Sequence, residues 1–143
     1  MDTRFSVAVH ALILISESAS PIHSEQVAKS VGTNASYVRK ILALLKKAAI
    51  VDGRRKRSGY RLTIAPEKLP LLRIYLAVME EPGVHLLDIH QNPGDQCIVG
   101  RHIRPVLTGM FAEAEQAFAR SLAKQTLGDC IAGIRSSVAC IQI

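Results

Sequence analysis

The stretch SEQVAKSVGTNASYVRKILALLKK, from Ser24 to Lys47, decides how this chain is read. Its opening residues suit a short helix over 24–31, with Ser24 as N-cap and Glu25 in the first turn, where a carboxylate meets the positive helix end. Gly32 stops that helix, because glycine reaches the left-handed C-terminal conformation without strain. Asn34 then caps a second helix running to about Ala49, in which Val38, Ile41, Leu42 and Leu45 recur at i, i+3, i+4 and i+7 and face a core together. Two helices joined by so tight a glycine turn make a helix-turn-helix. Ser36, Lys40, Ala43 and Lys47 fall on the opposite face, with Arg39 and Lys46 beside it. Hydroxyl, small and basic side chains on one outward face suit insertion into a DNA major groove. An ordinary solvated helix can carry the same face, so this helix alone does not settle function.

The segment behind it shifts the balance. Ile50-Val51-Asp52 and Tyr60-Arg61-Leu62-Thr63-Ile64 are short and β-prone, and they flank the turn-rich stretch Gly53 to Gly59 as a hairpin, or wing. Arg54, Arg55, Lys56 and Arg57 crowd four positive charges into that turn, where they repel one another unless a polyanion is near. Such groups reach phosphates, or a narrow minor groove where the potential is more negative. The charge balance agrees. The 143 residues carry a net +6, yet residues 1–61 hold 11 Lys/Arg against 4 Asp/Glu (+7) and residues 62–143 hold 7 against 8 (−1). The excess positive charge sits wholly in the half that carries the helix-turn-helix and the wing, and its expected partner is double-stranded DNA.

Outward from these elements, the 48% hydrophobic content supplies a core and excludes a disordered tail. Arg4 to Ser16 is apolar almost all round and reads as a buried helix. Followed by Ser18-Ala19-Ser20, it imitates a signal peptide, but Asp2 offsets Arg4 and His10 interrupts the apolar run, so a cytoplasmic protein is expected. No run approaches a membrane span, and no membrane partner is expected. Leu71 to Glu80 has helical spacing, Glu81 to Gln96 reads as a loop, and Ile98 to Lys124 as a long helix that Pro105 should kink or start later. Val99, Ile103, Val106, Met110, Ala114 and Ala117 form one apolar stripe on it; Leu107, Phe111, Phe118 and Leu122 form a second beside it. Two such stripes exceed what a small domain can cover and point to a subunit interface, for which Val99, Ile103, Val106, Met110, Phe111, Ala114, Ala117 and Phe118 are the candidates. Thr126 is the N-cap candidate of a last short helix, followed by an apolar tail, Val138 to Ile143. The expected fold is mainly α with a small β-hairpin wing: a winged helix-turn-helix over residues 1–80, a loop over 81–97, and a long dimerisation helix with a C-terminal helix and tail over 98–143.

In order and spacing, several segments together resemble the Rrf2 family of bacterial winged helix-turn-helix transcription regulators. They are Arg4 to His10, Ser36-Tyr37-Val38-Arg39-Lys40-Ile41-Leu42 with Leu45, Gly59-Tyr60-Arg61-Leu62, Leu71 to Tyr75 with Ala77-Val78, and Asn92-Pro93 to Cys97 with Gly100. The resemblance implies a homodimer, its long helices crossing, and a regulator, expected to be a repressor, on a palindromic operator with half-sites about 34 Å apart. It places Ser36, Tyr37, Arg39 and Lys40 at the major groove and Arg54 at the minor-groove position of the wing. Asn34, Lys47, Arg55, Lys56, Arg57 and Tyr60 complete the candidate DNA-binding set. One departure is plain: the usual glycine-rich wing tip is replaced by Arg55-Lys56-Arg57-Ser58, which strengthens phosphate attraction.

Relatives that bind an iron–sulfur cluster carry three cysteines in the loop before the long helix; here the loop has only Cys97, with Gln91 and His85 at the other two positions. No cofactor and no metal are expected. His85, His90, Cys97 and His102 are close in sequence, but their spacing matches no strong zinc pattern. Cys97 precedes a helix N-terminus, with Arg101 four residues on, and both features favour the thiolate. It is the candidate redox sensor, set against a plain capping residue. Cys97, Cys130 and Cys140 make an odd count without CxxC spacing, which fits a reducing compartment rather than a disulfide framework. No catalytic residues are assigned, since nothing orients a nucleophile–base pair around Cys97, and the chain is not expected to be an enzyme. The alternative function is a winged-helix module that binds protein or RNA without operator specificity.

Overall fold

Ala8, Ala11, Leu12 and Ile15, spaced by helical turns, put α1 (Arg4–Glu17) in the middle of the core, where three of the four have no exposed surface. The computed structural model describes residues 1–54 and 59–141. Within them α1 is followed by α2 (Ser24–Val31), α3 (Ala35–Lys47), the antiparallel strands β1 (Val51–Arg54) and β2 (Gly59–Leu62), α4 (Leu71–Met79), α5 (Ile98–Lys124) and α6 (Leu127–Ile141), with a 3-10 turn at Pro66–Lys68. The mainly helical chain with its small hairpin is the architecture the sequence suggests. Among the described residues no helix is long and apolar enough to cross a membrane.

The core joins Val27 and Ala28 of α2, Val38, Ile41, Leu42 and Leu45 of α3, Ile50, Val51 and Tyr60 of the hairpin, and Leu71, Ile74 and Val78 of α4. The sheet pairs Val51 with Leu62 and Gly53 with Tyr60. Ile22 extends it: the Tyr60 N–H donates to the Ile22 carbonyl at 2.9 Å, which ties the wing to the segment before α2. Gly59 makes this approach possible. It sits at φ +70°, and a Cβ there would lie 2.9 Å from the Ile22 carbonyl oxygen.

Three local expectations are corrected. The N-cap of α2 is His23, not Ser24. Ser24 lies one residue inside the helix and is buried, while the Gln26 side chain accepts from the His23 N–H at 2.9 Å. Pro105 does not delay α5, which runs from Ile98 with the proline inside it. The last helix is not short: α6 continues to Ile141, because Ile131, Ile134 and Val138 keep helical spacing and no proline intervenes. Its start is held as expected at Thr126, whose hydroxyl accepts from the Asp129 N–H at 3.1 Å while the Asp129 carboxylate accepts from the Thr126 N–H at 2.9 Å. Leu127 and Ile131 of α6 belong to the core, whereas none of the 27 residues of α5 is fully buried.

Candidate nucleic-acid interface

The turn between α2 and α3 is built as its sequence requires. Gly32 takes φ 84° and ψ 35°, and the N–H groups of Gly32 and Thr33 both return to the Ala28 carbonyl. Two residues on, the Asn34 side-chain oxygen accepts from the Tyr37 N–H at 2.8 Å and starts α3. With Val38, Ile41, Leu42 and Leu45 at 0–1% exposure, the register of α3 is fixed. Ser36, Lys40, Ala43 and Lys47 consequently lie exposed on the opposite face, as their spacing requires.

The other side chains of this helix divide by what holds them. Tyr37 is half-buried and packs on the core. Asn34 is exposed, with its oxygen engaged in the cap. Arg39 is drawn across the surface: its Nη2 donates to Ser36 Oγ at 3.0 Å, and its Nη1 lies 3.6 Å from Glu25 Oε1 on α2. The Glu25 carboxyl is held below the ordinary range by its own backbone N–H first, and further by the Ser24 hydroxyl and the charge of Arg39. Lys46 donates from Nζ to the Gly53 carbonyl at 2.9 Å and so braces the wing against α3. Sequence reasoning places Lys46 beside this face but misses its bond to the wing, and it misses Glu25 as part of the surface. Both lie in segments read correctly as helix, but their partners are on other elements.

In the wing, Arg54 pairs with Gly59 through the strand register. The expectations for Arg55, Lys56 and Arg57 fall outside the described residues. Tyr60 is corrected: only 8% exposed, its ring belongs to the core beneath the hairpin rather than to a DNA-facing surface. A β-prone aromatic at a strand start has two faces to choose from, and the packing of the hairpin on the core decides which is covered.

The two stripes of α5 separate in the same way. Val99, Val106 and Met110 are 63%, 55% and 60% exposed, Ala114 and Ala117 are exposed beside them, and Ile103 is half-buried. Phe111 and Phe118, expected with the interface, are half-buried. Phe118 meets Tyr75 edge to face at 5.5 Å, and Tyr75 meets Phe5 at 5.4 Å, an aromatic ladder from α5 through α4 to α1. Phe111 lines a cleft beneath residues 85–91, a segment pinned where the Leu86 N–H donates to Glu115 at 2.8 Å.

Cys97 is the exposed N-cap residue of α5. The N–H groups of Gly100 and Val99 hold its thiol below the ordinary value; Arg101 is not among the causes. Cys130 is half-covered, and burial pushes its thiol up. His85, His90, Cys97 and His102 are not gathered: among the described residues no three His, Cys, Asp or Glu side chains are placed to hold a metal. His85 instead pairs with Asp88 at 2.7 Å, and its other ring nitrogen lies 3.7 Å from Glu115.

Residues 1–133 match the Rrf2 family, described as an iron-dependent transcriptional regulator. The chain is 36% identical over 129 residues to YwnA of Bacillus subtilis strain 168, whose name places it with the HTH-type transcriptional regulators; the match covers 90% of this chain and 95% of that one. A solved structure described as a DNA binding protein is 34% identical, covers 90% of this chain and 98% of its own, and superposes with a TM-score of 0.73. A transcriptional regulator from Lactobacillus plantarum, at 25% identity, covers 99% and 96% with a TM-score of 0.80. Among the described residues no side chains converge as a donor set for the iron in the family's description. Cys97 is the single thiol of the loop, and the neighbouring imidazoles do not converge on it.

Proposed function

The chain belongs to the Rrf2 family of transcriptional regulators, and from that premise we propose that it acts in the cytoplasm as a homodimeric repressor on a palindromic DNA operator. Its family and relatives are regulators and not enzymes. The observation that carries the reading is the division of α3. Four apolar residues lock one side into the core, and Ser36, Lys40, Ala43 and Lys47 stand exposed on the other. Lys46 fixes the neighbouring wing at a set distance from that helix. Ser36, Arg39 and Lys40 meet base edges in the major groove, and Lys47 with the Arg54 to Arg57 run neutralises phosphates or enters the minor groove.

One α3 reads a half-site of only a few base pairs, so a second copy is needed for a specific operator. The exposed stripe Val99, Val106, Met110, Ala114 and Ala117 on α5 supplies the surface for it. A dimer lying across the duplex represses by excluding other proteins from the same DNA. No cofactor enters this reading, and Cys97, with its lowered thiol at the open end of α5, is the point at which an oxidant alters the dimer. Selection from a random duplex pool with the purified protein tests the core of it. A two-fold symmetric site should be enriched, and enrichment of no sequence would overturn the reading. For the redox part, peroxide should weaken operator binding of the wild type and leave Cys97→Ser unaffected; equal behaviour of the two removes Cys97 from the mechanism.

A further inference from the structure

An acid stands where a phosphate-gripping surface gains nothing from one. Glu25 occupies the first turn of α2, 65% exposed at its side chain, and its carboxylate lies 3.6 Å from the Arg39 guanidinium. On a chain whose first 61 residues carry +7, this carboxylate opposes DNA phosphates and cancels the charge of the one arginine on α3. The geometry assigns it a use. Arg39 is held from two sides, by Glu25 on one Nη and by the Ser36 hydroxyl on the other at 3.0 Å, and its side chain is only 23% exposed.

An unrestrained arginine keeps considerable rotamer freedom, which it loses on contacting a base. Arg39 has much of that freedom removed before DNA arrives. A guanidinium offers five N–H donors in a planar fork, so with two partners engaged it still has donors for the O6 and N7 acceptors of one guanine. We propose that Glu25 is a positioning residue for sequence specificity: it commits Arg39 to reading a guanine in each half-site and withholds it from the phosphate backbone. Two effects act in the same direction. The fixed fork strengthens the bond to the correct base, and the neighbouring carboxylate weakens the grip on any other sequence.

This inference rests on the operator-binding reading above, and the experiment separates the two. Random-pool selection and titrations on operator, guanine-substituted operator and random duplex are run at several salt concentrations for wild type, Glu25→Gln, Arg39→Ala and Arg39→Lys. Glu25 is exposed and outside the core, so its variant keeps the fold, which circular dichroism verifies. Wild type should enrich a half-site with one guanine whose preference disappears in Arg39→Ala. It should also fall sharply in Arg39→Lys, which keeps the charge and loses the fork. Glu25→Gln should bind random duplex more tightly, with a salt slope steeper by about one phosphate contact per protomer, and should lose about tenfold in discrimination at that guanine. A merely structural Glu25 would move neither the preference at one base pair nor the salt slope. A wild-type motif retained in full by Glu25→Gln, or a guanine preference indifferent to Arg39, overturns the inference while operator binding stands. Absence of any motif in wild type overturns both.

Discussion

Helices α3 and α5 solve opposite problems. α3 has 13 residues, buries four large apolar side chains and turns small, hydroxyl and basic groups outward. α5 is twice as long, has no fully buried residue, and exposes Val99, Val106 and Met110. A polar outer face on a helix locked into a core is ready for a polyanion, because it binds through charge and hydrogen bonds without rearranging the core. An apolar outer face gains only by leaving water, and a second apolar face provides that. In the proposed dimer the two partners are separated by chemistry: nucleic acid on α3, the second copy on α5.

The contrast breaks most completely if the exposed face of α5 is made charged. Val106→Glu combined with Met110→Glu should convert the species in sedimentation from about twice 15.6 kDa to a monomer. Operator affinity should fall about 100-fold or more as the two half-sites are uncoupled. A double variant that stays dimeric would remove α5 from the interface. On α3 the sensitive side is the inner one: Leu42 is fully buried, and Leu42→Ala should lower the unfolding free energy by about 2–5 kcal/mol in chemical denaturation. A loss under about 1 kcal/mol there would mean that the core does not anchor this helix as described.

Smaller effects sharpen how α3 is tied to the wing. Gly59→Ala places a Cβ against the Ile22 carbonyl at a positive φ and should destabilise by about 1–3 kcal/mol, with the hydrogen-exchange protection of the Tyr60 amide lost first. The end of α3 offers a gain instead. Ala49 takes φ 60° in a turn where the Ile50 N–H returns to Leu45 and the Ala49 N–H to Lys46, an arrangement that favours glycine. Ala49→Gly should raise stability by about 0.5–1 kcal/mol, the left-handed strain removed outweighing the added chain entropy. A lower melting temperature would show that the alanine is not strained.

Local signals carry through to the structure. Gly32, Asn34 and the apolar spacing of α3 act within four residues of themselves, and each appears in the structure as expected. So do the bounds of α5, although a proline inside them argued otherwise. Misreadings arise where a residue has two plausible surroundings. Ser24 is a good capping type, but burial draws it inside α2 and leaves the N-cap to His23. Tyr60 suits a groove-facing wing equally well until the hairpin packs its ring into the core. Phe118 and Met110 are both apolar residues on one helix, and nothing in their spacing says that Tyr75 covers the first and not the second.

By itself the sequence determined a basic helix-turn-helix with a hairpin behind it, and a long helix with more apolar surface than one copy covers. Those properties depend on helix periodicity, caps and charge, which are written in neighbouring residues. The tertiary structure decided the rest: that Glu25 meets Arg39, that Lys46 braces the wing at Gly53, and that one stripe of α5 is taken by the chain itself while the other stays open. Each of these depends on which segments pack together, and packing is fixed by the whole core rather than by any short run of sequence.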